Sequence, residues 1–156
     1  MSHKEPIHTL ARAVIVDQDH ILMAYHPNHK PPLYYLPGGH VEHGEGAQSA
    51  LMRELIEEMG DKKFVTDRFL GVLEHAFIKN PQSTCCHNHE YNFLFQISSK
   101  NLTIAATPQS QEEDLAFAWI PLSELATIIL LPEVLVTHLP AWLAQNHPTA
   151  FQTSMK

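Results

Sequence analysis

The sequence predicts an α+β fold, a mixed β-sheet flanked by helices. Three observations lead there. Apolar runs of strand length recur along the chain, separated by turn-forming residues. One stretch, residues 47–59, carries helical periodicity instead. Strands and helices also follow one another without the regular β–α alternation of a doubly wound parallel sheet.

In chain order, residues 10–16 are apolar and β-branched, Asp17-Gln18-Asp19 is turn-like, and residues 21–25 are apolar again, which predicts a β-hairpin. Residues 26–32 read as a proline-bearing loop and residues 33–36 as a short strand ended by Pro37. The helix over residues 47–59 rests on Leu51, Leu55 and Met59 recurring at i+4, with Gly60 where a C-terminal cap belongs. Residues 64–78 are expected to be strand-rich with a break near Gly71, followed by a polar loop over residues 79–87. Strands are expected at residues 91–97, at 102–105 and at 115–120, then a helical turn over residues 121–125 with Pro121 at its first position. A last helix starts at Pro132 and is interrupted or kinked at Pro140.

A chain of 156 residues without repeat or linker fits one domain, residues 1–156, large enough to bury a core unaided. Its 44% hydrophobic and 17% charged residues exclude a disordered chain. The longest apolar run, residues 125–131, is far too short to span a bilayer, so no membrane partner is expected. The first ten residues, MSHKEPIHTL, lack the apolar core of a secretory leader. Cys85 and Cys86 are adjacent and cannot build a disulfide framework, which points to a cytoplasmic setting. The net charge of −7 argues against non-specific nucleic-acid binding, which needs clustered Lys and Arg. It does not exclude a phosphorylated small molecule, because divalent cations can sit between acidic side chains and a polyanion.

Of six glycines, five lie between Gly38 and Gly60, marking a shaped segment rather than a flexible chain. Within it stand Gly39, then Glu45 after five residues, then Arg53-Glu54-Leu55-Ile56-Glu57-Glu58-Met59-Gly60 after seven more. On a helix, Glu54, Glu57 and Glu58 lie at i, i+3 and i+4 and share one face. Their mutual repulsion reverses sign if a hard cation such as Mg²⁺ binds among them. Arg53 can pair with Glu57 one turn on or reach back to Glu45. A lone Glu-rich face is usually only solvated, but eight specified positions over 22 residues are a far more specific pattern.

This segment resembles the Nudix box: Gly, five residues, Glu, seven residues, Arg-Glu, an aliphatic residue, one residue, Glu-Glu, one residue, Gly, aliphatic. Every position matches except the last, where Asp61 stands in place of an aliphatic residue expected to pack. More loosely, LPGGHVEHGE, the upstream RAVIVDQDHILMAY and the downstream AFAWIPLSEL are similar to the family, so the resemblance covers roughly residues 12–125. It implies an α/β/α sandwich carrying a loop–helix–loop catalytic motif, in which Glu45, Arg53 and Gly60 are structural. It implies Mg²⁺, with Mn²⁺ as the alternative, held by Glu54, Glu57 and Glu58 with the Gly39 carbonyl. The implied reaction is attack of water on a phosphorus of a nucleoside diphosphate linked to another group, a nucleoside triphosphate or a nucleotide sugar such as ADP-ribose. Glu57 and Glu58 are the catalytic carboxylates of the box. The resemblance also allows a base outside the box; the candidates are Glu112 and Glu113, which precede the strand bearing Trp119, and then Glu90, with Glu113 favoured.

Other residues carry weaker signals. Arg12 is a candidate phosphate contact, since a guanidinium fork suits phosphate oxygens, and His40, next to the glycine pair, is a candidate substrate contact. Tyr34, Tyr35, Phe77, Phe93 and Trp119 can stack a base, although most are expected in the core. Cys85, Cys86, His87 and His89 lack the separated ligand pairs of a structural zinc site, so this loop is expected to be zinc-free. The rival reading is a non-hydrolytic nucleotide-binding module on the same fold, which the intact box carboxylates disfavour, as they do a prenyl diphosphate isomerase. A homodimer is left open.

Overall fold

The computed structural model describes residues 5–83, 85–147 and 149–155. Residues 1–4, part of the segment searched for a leader, and Thr84 in the polar loop lie outside them. The strands are β1 His8–Val14, β2 Val16–Asp17, β3 His20–Tyr25, β4 Leu33–Tyr35 and β5 Gly38–His40; after helix α1, Ala47–Met59, come β6 Val65–Ala76, β7 His89–Ser98 and β8 Ala116–Pro121. A 3-10 turn Leu122–Thr127, β9 Ile129–Leu130, helix α2 Leu135–Leu143 and β10 Phe151–Thr153 complete the chain.

The expected mixed sheet is present as two five-stranded sheets. One has the order β10-β6-β7-β1-β5, with β1 parallel to β7 and antiparallel to β5. The other runs β2-β3-β4-β9, with β8 added antiparallel along β3. The predicted hairpin over residues 10–16 and 21–25 needs correction: only Val16–Asp17 pairs with β3, while His8–Val14 belongs to the other sheet. The turn itself is where the sequence puts it, with Gln18 and Asp19 at φ 45 and 60. Such positive φ values at both central residues match the right-handed twist of the flanking strands.

The reason the run divides between sheets is burial on both faces. Ala11, Ala13 and Ile15 face one apolar cluster with Leu51, Leu55 and Met59 of α1, whereas Val14 faces a second with Leu135, Leu139 and Trp142 of α2. Strand β3 alternates likewise, Leu22 and Ala24 to the first cluster and Ile21 and Met23 to the second. Successive strand side chains point to opposite faces, so each helix covers its own side and the molecule is an α/β/α sandwich. Full burial of each of the three α1 anchors contributes roughly 1.5–3 kcal/mol relative to exposure.

Smaller differences have local causes. The break near Gly71 is a bulge inside a continuous β6, where register shifts between Phe69 and Gly71. Residues 102–105 form no strand, only a Thr103–Ala106 bridge in a turn. Pro121 ends β8 and caps the 3-10 turn instead of opening it. Helix α2 starts at Leu135, three residues after Pro132, and continues through Pro140 to Leu143. Asp61 does not pack at all: it is exposed, accepts from the Lys63 amide at 2.9 Å and pairs with the Lys63 ammonium at 2.8 Å.

Candidate active site

The site begins with two glycines on β5. Gly38 has φ +128, and a Cβ there would lie 2.1 Å from the Ala11 carbonyl oxygen, so no other residue fits. A Cβ on Gly39 would lie 2.5 Å from the Glu54 carboxyl carbon. At Gly39 it is the end of the Glu54 side chain that comes this close, so a Cβ there would displace that carboxylate. Gly60 ends α1 at φ 76, its amide donating to the Ile56 carbonyl at 2.8 Å.

Arg53 organises that face. Its Nε donates to Glu45 Oε1 at 2.8 Å, and its terminal nitrogens donate to Glu45 Oε2 at 3.1 Å, the His40 carbonyl at 3.0 Å and Glu54 Oε1 at 3.0 Å. A longer contact of 3.4 Å reaches Glu57. Both partners open to Arg53 on sequence grounds are thus engaged, Glu45 the more closely. The hydrogen bonds from Arg53 hold the Glu45 carboxyl below the usual carboxylate range.

The three helix glutamates differ in environment. Glu57 is half exposed. Glu54 is partly buried, and burial raises its pKa against the opposing pull of Arg53. Glu58 is buried, receives a long 3.4 Å contact from the Gly38 amide, and its Oε2 has no hydrogen-bond partner. Burial pushes its pKa up to about 8, with Arg12 opposing. A buried carboxylate oxygen without a donor is costly unless a cation faces it. Together with two neighbouring carboxylates, this donor set fits a hard divalent ion.

Arg12 crosses from β1 to face Glu58. Its Nη1 donates to the carbonyls of Leu36 at 3.1 Å and Gly38 at 3.2 Å, and its guanidinium carbon lies 5.8 Å from the Tyr35 ring centre. Beside it opens a cavity of about 390 Å³, walled by Arg12, Tyr35 and Leu36 on one side, His75, Phe77, Glu90 and Asn92 on another, and Leu131, Pro132 and Leu135 beneath α2. The Tyr35 hydroxyl bonds His26 Nε2 at 2.9 Å, and burial next to Glu58 pushes it up to about 12. Of the five candidate stacking residues, Tyr35 and Phe77 line the cavity. Tyr34 packs on Tyr25, and Phe93 and Trp119 pack against the α1-side core.

Two further candidates are Glu113 and His40. The loop before β8 is clamped to the end of α1 by the Gln111 amide, which donates to the Glu58 carbonyl at 2.7 Å. Glu112 and Glu113 follow in that loop, both exposed, and the charge of Glu112 contributes to the raised pKa values of Glu54, Glu58 and Tyr35. His40 is not among the residues lining the cavity and instead joins a cluster with His8, Cys86 and His87. Of the cysteine–histidine loop only Cys86 and His87 converge; Cys85 and His89 do not join them. Sequence spacing could not reveal this cluster, because two of its members lie on distant strands.

The family model of the NUDIX domain matches residues 7–141. The mutator protein MutT4 of Mycobacterium tuberculosis is 30% identical over 96 residues, 60% of this chain. The match takes in 34% of that protein, so the chain spans about a third of its length. Among solved structures, a MutT protein of Methanosarcina mazei superposes with a TM-score of 0.67 at 19% identity, over 93% of this chain and 99% of that one. A MutT NUDIX hydrolase of Burkholderia pseudomallei gives 0.56 at 24% identity over 76% and 86%, and an ADP-ribose pyrophosphatase of Streptococcus suis gives 0.63 at 18% over 94% and 98%. These likenesses show the shared fold. Among the described residues no helix is long and apolar enough to cross a membrane.

Proposed function

The chain belongs to the Nudix family, and from that premise we propose that it is a metal-dependent hydrolase cleaving a phosphoanhydride bond in a nucleoside diphosphate linked to a further group. The observation that carries this reading is the unpartnered Oε2 of buried Glu58, flanked by Glu54 and Glu57 and set beside the cavity that holds Arg12. Residues 1–156 act in it as one domain, and the adjacent cysteines suit a cytoplasmic setting.

Glu54, Glu57 and Glu58, with the Gly39 carbonyl, would hold Mg²⁺ or Mn²⁺. Such an ion supplies an activated water and neutralises charge on the phosphate oxygens. The protein's own residues do the positioning. Arg53 ties Glu45, Glu54 and Glu57 to the β5 backbone, so the carboxylates are set before substrate arrives. Arg12, held on two carbonyls and the Tyr35 face, presents its remaining donors to the diphosphate. Tyr35 and Phe77 offer aromatic faces to a base, and Glu90 and Asn92 offer an acceptor and a donor to its edge. Glu112 takes the role first expected of Glu113: its carboxylate accepts the proton of the attacking water.

A cavity of about 390 Å³ has room for a nucleoside moiety, with the second half of the substrate extending past α1 into solvent. This fits a nucleotide sugar or ADP-ribose-like substrate and equally a nucleoside triphosphate, and the structural neighbours include both an ADP-ribose pyrophosphatase and a UDP-X diphosphatase. The deciding experiment is a nucleotide panel with Mg²⁺ or Mn²⁺, following release of nucleoside monophosphate, inorganic phosphate or pyrophosphate. Wild type should turn over at least one member only with metal, and Glu57→Gln should lower the rate by orders of magnitude while leaving the circular-dichroism spectrum unchanged. Wild-type rates in the Glu57→Gln protein at saturating Mg²⁺ would overturn the assignment.

A further inference from the structure

Four side chains converge outside the carboxylate site: His8 at the start of β1, His40 at the end of β5, and Cys86 and His87 in the loop between β6 and β7. One donor atom from each lies within 4.8 Å of all the others. Around Cys86 Sγ stand His87 Nδ1 at 3.2 Å, His8 Nδ1 at 3.6 Å and His40 Nε2 at 3.6 Å. A thiol has one proton and can satisfy only one of these nitrogens. Three imidazole edges directed at one sulfur, with His87 Nδ1 left as a lone pair when its Nε2 proton faces Glu90, make the donor set that a cation at the centre would collect. The spacing agrees with this: Zn–S near 2.3 Å and Zn–N near 2.0–2.1 Å at the tetrahedral angle set sulfur-to-nitrogen edges of about 3.6 Å.

The surroundings support a cation as well. His87 is buried, and its other nitrogen, Nε2, meets the carboxylate of Glu90, whose second oxygen accepts from Asn92 Nδ2 at 2.8 Å. A carboxylate behind a ligating imidazole fixes its tautomer and strengthens it as a donor.

We infer that His8 Nδ1, His40 Nε2, Cys86 Sγ and His87 Nδ1 form a tetrahedral one-cysteine, three-histidine site for a zinc-class divalent cation, separate from the carboxylate site on α1. This departs from the expectation of a zinc-free loop, and it draws on His8 and His40 from outside that loop. The two sites sort ions by chemistry: thiolate and imidazole select zinc-like ions, carboxylates select Mg²⁺ or Mn²⁺. On binding, Cys86 gives up its thiol proton to solvent. The bound ion clips the β6–β7 loop to the ends of β1 and β5, and through His87 it orients Glu90 at the wall of the cavity. The inference stands independently of the hydrolase reading.

Cobalt serves as the spectroscopic probe. The full-length chain, purified without a histidine tag and stripped with chelator under reducing conditions, is titrated with Co²⁺ and then with Zn²⁺. Tetrahedral d–d bands and a thiolate-to-cobalt charge-transfer band should saturate at one ion per chain and bleach on adding Zn²⁺. Cys86→Ser should lose the charge-transfer band, whereas Cys85→Ser should keep it. Glu90→Gln should weaken zinc binding about 10–100-fold, and Glu57→Gln should leave the titration unchanged. A wild-type chain with no charge-transfer band, or a band that follows Cys85 instead of Cys86, overturns the site. Because the wild-type titration is decisive alone, a variant that fails to fold does not shelter the proposal.

Discussion

Glu112 and Glu113 are one position apart, and the proposed base is Glu112. Gln111, held to the Glu58 carbonyl at 2.7 Å, sets the loop so that the charge of Glu112 reaches Glu54, Glu58 and Tyr35. A base acting through one proton contributes about 10²–10⁴-fold. Glu112→Gln should therefore lower kcat by that order and leave the metal concentration for half-maximal activity nearly unchanged. Glu113→Gln should be close to silent. Steady-state kinetics of the two variants across pH decide between them, and a damaging Glu113→Gln beside a silent Glu112→Gln would return the role to Glu113. The sequence favours Glu113 only by its place before a strand, whereas the loop is held by a clamp to a helix more than fifty residues away.

At the scale of elements, the contact between α2 and β6 depends on Gly71. A Cβ there would lie 2.7 Å from both the Trp142 ring and the Ala150 carbonyl oxygen, and the Ala150 carbonyl also accepts from the Val72 amide at 2.7 Å. Neither neighbour has room to yield: Trp142 is buried with its indole donating to the Thr149 carbonyl at 3.0 Å, and the other is backbone. Gly71→Ala should destabilise the protein by about 1–3 kcal/mol through overpacking, read from the urea midpoint, with little change in kcat because the α1 face is untouched. An unshifted midpoint would show that α2 is free to move. The sequence marks Gly71 as a break in a strand; the structure shows that it is a bulge kept clear for an aromatic ring.

For the whole molecule, the carboxylate site sets a conflict between stability and function. Folding buries Glu58 and raises its pKa from the ordinary 4.5 to about 8. Between those values the folded chain holds a proton that the unfolded chain has released, so its contribution to stability is complete below about 4.5 and is lost as pH rises toward 8. In chelator, the wild type should lose stability relative to Glu58→Gln across this window. Comparing the two proteins cancels the histidines, whose lowered pKa values act in the opposite direction. Saturating Mg²⁺ should abolish the wild-type loss, because a cation bound at the site favours the ionised form. A difference in urea midpoints that does not vary with pH would show that Glu58 is not the group responsible.

The sequence by itself determined the fold class, the helix that carries the three glutamates, its glycine stop and the two partners open to Arg53, Glu45 and Glu57. All of these rest on periodicity or on residues within 22 positions of each other, where spacing along the chain dictates proximity in space. Only the tertiary structure decided that the first apolar run divides between two sheets and that His40 joins His8, Cys86 and His87. Each of those outcomes depends on which face of a strand or loop meets an element far away in sequence. That choice follows from how the two helices and two sheets share the burial of apolar side chains, and no local pattern encodes it.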